Sequence, residues 1–107
     1  MTAARILGAY KLDHPRCELH RLRCQRAADA TELHHILGGA RRIHEPWNLL
    51  HLCGECHRVV HAALSFWRFG CVWLKVRRGE WDGAAAWRAT NPGRPYSGEY
   101  ETGYPLG

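Results

Sequence analysis

Glu32-Leu33-His34-His35-Ile36-Leu37-Gly38-Gly39 and, one loop later, Trp47-Asn48-Leu49-Leu50-His51-Leu52-Cys53-Gly54-Glu55-Cys56-His57-Arg58-Val59-Val60-His61 together decide the fold. The first run mixes β-branched and apolar residues and stops at a glycine pair, which predicts a strand over residues 32–37. A loop through Arg41, Arg42, His44 and Glu45 reaches Pro46, and a second strand is expected over residues 47–52. Cys53-x2-Cys56 is the spacing of a metal-binding knuckle, with Gly54 in its tight turn. Residues 55–69 contain neither Gly nor Pro and are followed by Gly70, so a helix ending there is predicted. His57 and His61, four residues apart, share one face of that helix.

Outward from this centre the signals weaken. Residues 1–16 read as a short lead-in, and residues 17–26 as a compact loop around Cys17 and Cys24. Residues 71–77 alternate well enough to predict a strand turning near Arg78-Gly79, the first of a C-terminal strand pair. Residues 90–107 hold four Gly and three Pro, with Tyr96, Tyr100 and Tyr104 at intervals of four. That composition builds no core, so an extended tail is expected, its tyrosines free to dock on the domain or on a partner. The expected organisation is one domain over residues 1–89, its motif core at 17–62, and a Gly/Pro/Tyr-rich tail over 90–107.

With 107 residues the chain is of single-domain size, small enough for a metal clip to be useful. Fifteen Lys and Arg against ten Asp and Glu give a formal charge of +5, compatible with a polyanionic partner and equally with a solvated basic face. The N-terminal residues lack the apolar core of a secretory signal, and no run approaches a membrane span. A cytoplasmic location, in a bacterial host, is therefore expected. In that reducing compartment paired cysteines more often hold metal than form disulfides. Cys71, alone in an apolar segment, reads as a small buried hydrophobe.

Two ligand sets of different character are interleaved over residues 17–61. Cys17-x6-Cys24 and Cys53-x2-Cys56 supply four soft thiolates, the donor set of a closed structural zinc site that would staple the ends of the hairpin. Unrelated buried thiols are the plainer reading. Six of the eight histidines fall between His34 and His61. Neighbours on a strand face opposite ways, so His34 and His35 cannot both bind one ion in a regular strand. One can hold metal while the other faces a reacting group. Asn48 lies across the hairpin from them, where its amide could fix a loop or orient an imidazole. A closed thiolate site beside an open imidazole site points to a small metal-dependent enzyme.

The pattern of ELHHI at residues 32–36, Asn48-Leu49-Leu50, Cys53-x2-Cys56 and His57-x3-His61 resembles the HNH nuclease family, in its four-cysteine form common in phages and mobile elements. The likeness covers roughly residues 17–62. The Asn48, His57 and His61 spacing is also similar to that of the colicin DNases. The resemblance implies a small α+β domain, zinc-stapled and treble-clef-like, with a ββα-metal motif. It implies a metal-dependent DNA endonuclease of weak sequence specificity. His34, His57 and His61 would hold one catalytic divalent ion (Mn²⁺, Ni²⁺, Co²⁺, Zn²⁺ or Mg²⁺), and Cys17, Cys24, Cys53 and Cys56 a structural Zn²⁺. His35 would be the general base, and Asn48 would orient His35 or its loop. Many relatives have aspartate where this chain has His34.

Elementary chemistry is compatible with those roles, since a neutral imidazole can take a proton from water near neutral pH and a dication can neutralise charge at phosphorus. Arg41, Arg42 and Arg58 are near enough in sequence to contact DNA phosphates, or to form a solvated face. Trp67, Trp73, Trp81 and Trp87 could stack on bases, although tryptophans are more often core. The competing reading is a catalytically silent zinc module that binds nucleic acid or a phage packaging or recombination protein. It needs the cysteines but not His35.

Overall fold

Two short strands sit at the centre of the computed structural model, which describes residues 2–20, 22–23, 28–38 and 42–103. Strand β1 (Glu32–His35) pairs antiparallel with β2 (Leu49–Leu52). The register sets His34 against Leu50 and His35 against Leu49. A 3-10 turn at Pro46–Asn48 occupies the start of the run predicted as strand, because proline presets the first turn and cannot donate to a ladder. Helix α1 (Ala3–Asp13) precedes the hairpin; α2 (Gly54–Ala62), α3 (Leu64–Arg77) and α4 (Gly83–Thr90) follow it. The fold is α+β, and no described helix is long and apolar enough to cross a membrane.

Several expectations are corrected. The lead-in is helical: Thr2 caps α1 by accepting from the Arg5 N–H at 3.3 Å, and Tyr10 anchors the helix in the interior. The single helix over 55–69 is two helices, broken at Ala63, whose backbone (φ −145°, ψ 60°) is not helical. No C-terminal strand pair is present among the described residues. Gly70 does not end a helix, and residues 71–77 complete α3. Cys71, Val72 and Lys75 are its buried residues, a spacing of one and three that belongs to a helix and not to a strand. A glycine inside a helix costs about 1 kcal/mol relative to alanine, which the burial of that face outweighs. The stop comes at Gly79 (φ 71°): its N–H donates to Val76 O at 3.0 Å and Glu80 N–H to Lys75 O at 2.9 Å, a Schellman closure.

The principal core holds Leu19, Ile36, Leu50, Leu52, Val60, Cys71 and Val72 between the hairpin, α2 and α3, with Cys17, Cys53 and Cys56 at its edge. Cys71 is buried as expected, and burial pushes its thiol up to about 12. A second cluster joins Leu37, Trp47, Ala86 and Tyr100, with Trp81 edge-on to Trp47 at 5.4 Å. Trp67 packs on the principal core, whereas Trp73 is half-exposed with the Arg77 guanidinium 5.3 Å from its ring.

Tyr100 docks on the domain, one of the two alternatives open to the tail tyrosines. Residues 91–103 form no helix or strand, yet they fold back on α4. The Tyr100 carbonyl accepts from the Trp81 indole N–H at 2.8 Å. A Cβ built on Gly83 would lie 2.4 Å from that carbonyl oxygen, so only glycine admits the segment there. Tyr104 and the residues after it lie outside the described residues.

A buried polar knot ties α1 to the rest. The Tyr10 hydroxyl donates to Glu18 Oε2 at 2.7 Å, and the His51 backbone N–H donates to the same oxygen at 2.6 Å. Arg78 donates to Glu18 Oε1. Lys75, 0 % exposed, donates to the Tyr10 hydroxyl at 2.8 Å and to Pro46 O at 2.9 Å. Burial draws its ammonium below the ordinary value, while Glu18 and Glu80 pull the other way. Every member has a partner, as a buried charged network requires.

Candidate metal centre

Two groups of ligand side chains converge. His34 from β1 and His57 and His61 from α2 place ring nitrogens within 4.8 Å of one another, and Cys17, Cys53 and Cys56 do the same with their sulfurs. Either group could hold a metal ion. Cys24 and Arg41, expected at the zinc site and at DNA phosphates, lie outside the described residues.

The cysteine group is built by the start of α2. Cys53 is the N-cap, and its sulfur accepts from the Cys56 N–H at 3.4 Å, the turn that aims both thiols one way. Cys17 comes from the preceding loop, held by its N–H to Ala28 O at 2.8 Å. All three are buried, and burial raises the Cys17 and Cys56 thiols above the ordinary value. Three converging thiols could hold a metal ion, which would take them as thiolates. Arg23, which the sequence reading missed, donates to Cys56 Sγ at 3.3 Å and to Glu55 at 3.3 Å.

The histidine group is more open. His34 is buried; desolvation, reinforced by neighbouring His57 and His61, holds it down at about 3, so it stays neutral with a lone pair to offer. His57 and His61 are one helical turn apart, with their Nε2 atoms 2.9 Å from each other. Two nitrogens bound to one tetrahedral ion at about 2.0–2.1 Å would stand roughly 3.3 Å apart, so the pair is within a few tenths of an ångström of a chelating position. Glu32 orients it: the His57 Nδ1–H donates to Glu32 Oε1 at 2.8 Å, which turns Nε2 toward the cluster. That hydrogen bond holds the Glu32 carboxyl below the usual carboxylate range. Glu32 is visible in the sequence, but its partner is 25 residues away.

His35, next to His34 on a strand, is outside the three-nitrogen cluster. Its Nε2 lies 3.0 Å from His44 Nδ1, and burial, then His44 and Arg42, lower its pKa. Both rings line the groove that also contains His34, His57 and His61. Arg42 and Arg68 line it too, whereas Arg58 is exposed on α2, with a guanidinium nitrogen 3.3 Å from where a Gly54 Cβ would stand. Arg68 was not singled out from sequence; it reaches the groove because α3 restarts after Ala63, and its Nε donates to Ile36 O at 3.4 Å.

The Asn48 side chain is hydrogen-bonded to backbone. It is fully buried, its Oδ1 accepting from Leu37 N–H at 2.7 Å and its Nδ2 donating to Leu37 O at 3.0 Å and to Ile43 O at 3.1 Å. Of the two roles expected for its amide, fixing the loop is the one the geometry shows.

Set against protein-family models, curated proteins and solved structures, the chain gives no significant match to any.

Proposed function

We propose that the chain is a metal-dependent DNA endonuclease of the HNH type, with a treble-clef-like core. The observation that carries this reading is the convergence of His34, His57 and His61 within 4.8 Å at a groove whose fourth imidazole, His35, stands outside the cluster. A buried structural site would need no such imidazole beside its ligand set. The cysteine group would serve folding as a zinc staple, with Cys24 the expected fourth ligand.

In this reading His34, His57 and His61 hold the divalent ion, and Glu32 keeps the His57 ring turned toward it. The ion, when bound, supplies Lewis-acid neutralisation of the charge that develops on phosphorus. His35 takes the proton of the attacking water. Arg42 and Arg68, on the rim, contact phosphate oxygens and hold the strand in register. Such contacts carry little base information, so binding is weakly specific and falls steeply with salt.

The test is nicking of supercoiled plasmid across a series of Mg²⁺, Mn²⁺, Co²⁺, Ni²⁺ and Zn²⁺, with and without chelator. Chelator-sensitive cleavage that disappears in His35→Ala, while melting and zinc content stay unchanged, supports the proposal. Full cleavage by His35→Ala removes His35 as base. DNA binding without cleavage in any ion leaves the silent zinc module as the better reading.

A further inference from the structure

We infer that His44 is the positioning residue of the general base, an inference that rests on the nuclease reading and deepens it. His35 Nε2 and His44 Nδ1 are 3.0 Å apart, with the rings nearly perpendicular at 71° and their centroids 5.1 Å apart. A single hydrogen lies between two imidazole nitrogens at that distance, which couples the tautomers of the two rings. If His44 Nδ1 carried it, the neutral His35 ring would hold its own hydrogen on Nδ1 and have no lone pair for water. With the hydrogen on His35 Nε2, His44 is the acceptor and the Nδ1 lone pair of His35 is left to take a proton. The His35 Nε2–H then donates to His44 Nδ1 at 3.0 Å, which fixes the orientation of the ring.

The support for His44 comes from Asn48. The Asn48 amide fixes the Leu37 and Ile43 carbonyls, and His44 is the next residue after Ile43. Asn48 therefore acts on His35 at one remove, by fixing the backbone from which His44 reaches it. His44 is on a loop between the two strands and matches no motif residue, so nothing in the sequence singled it out.

Two measurements test the inference on the zinc-loaded full chain. Steady-state cleavage by His44→Ala should show kcat lowered roughly 10–100-fold with KM little changed, the usual loss when an orienting partner is removed. His44→Asn carries an amide oxygen on the same Cγ that bears Nδ1 in histidine, and should recover most of that loss. Wild-type kcat in His44→Ala, or His44→Asn as slow as His44→Ala with melting and metal content intact, would overturn it. The second measurement is ¹⁵N NMR of the ring nitrogens in the unmodified protein, which needs neither variant to fold nor any activity. A protonated Nε2 with a bare Nδ1 on His35 upholds the assignment, and the reverse pattern overturns it. Absence of cleavage by the unmodified protein in every ion would fall on the nuclease reading, and the ring-nitrogen pattern would still decide the pair.

Discussion

Replacing Asn48 with aspartate changes the volume little and removes one donor group, so its consequence follows from three hydrogen bonds. The Oδ1 acceptor for Leu37 N–H survives. The Nδ2 group, which donates to Leu37 O at 3.0 Å and Ile43 O at 3.1 Å, becomes an oxygen facing two oxygens. Two hydrogen bonds at about 1 kcal/mol each are lost, and one buried and one half-buried carbonyl are left short of a donor. The new carboxyl is buried with no cation among these three contacts, so it is pushed to a pKa above its unfolded value of about 3.9. Together these amount to about 3–5 kcal/mol near neutral pH, a large share of the 5–15 kcal/mol expected of a domain this size. The sign of the pH dependence is fixed. Below about pH 3.9 the carboxyl is protonated in both states and only the hydrogen-bond loss remains; as pH rises to the folded-state value, the folded protein holds the extra proton and stability falls relative to wild type. Thermal melting of the two proteins in the same buffer at pH 5 and pH 7.5 reads both effects, with a drop of roughly 15 °C or more expected at the higher pH. Asn48→Asp melting within about 3 °C of wild type at pH 7.5 would refute the reasoning.

Three further outcomes are expected. Gly83→Ala sets a methyl 2.4 Å from the Tyr100 carbonyl oxygen and 2.9 Å from the Tyr96 hydroxyl, so it should lose about 1–3 kcal/mol and expose residues 91–103 to protease; unchanged melting with unchanged protease resistance would contradict the close packing. Glu18→Ala leaves Arg78, the Tyr10 hydroxyl and the His51 N–H without their shared acceptor, and should lower the unfolding free energy in urea by about 3–5 kcal/mol; a loss under about 1 kcal/mol would mean the knot contributes little. Glu32→Gln weakens the hold on the His57 ring, and calorimetric titration should show divalent-ion affinity at the histidine group reduced roughly tenfold or more. Equal affinity would mean that the ring needs no orienting partner.

What was legible in the sequence is what local chemistry determines. The strands around His34 and Leu50, the turn of Cys53-Gly54-Glu55-Cys56 and the shared face of His57 and His61 all depend on neighbours within a few residues. The helical character of residues 71–77 was hidden because Gly70 obeys the rule for helix ends and Cys71, Trp73 and Lys75 also fit an alternating pattern. Only the burial of Cys71, Val72 and Lys75 together distinguishes the two periods. Glu18 was invisible for a different reason. Its partners Tyr10, His51 and Arg78 are 8, 33 and 60 residues away, and a lone glutamate beside a cysteine carries no sign of burial. His44 and Arg68 fall in the same class, since each reaches the groove through a backbone path set elsewhere.

Those hidden contacts explain how so small a scaffold can hold imidazoles at chelating distance. A two-stranded hairpin is marginal by itself in water, and a nine-residue helix such as α2 is shorter than isolated helices that persist. The histidine groove adds Leu7 from α1, and Leu64 and Arg68 from α3. Its rigidity has to come from below, where Cys53 and Cys56 start α2 next to the end of β2 and Cys17 closes the group from the preceding loop. It also comes from one side, where Glu18 holds the β2 backbone at His51 and reaches α3 through Arg78. Asn48 completes the frame at the far end of the hairpin. The histidine group is thus held through the cysteine group, Glu18 and Asn48, in addition to the direct hold of Glu32 on the His57 ring.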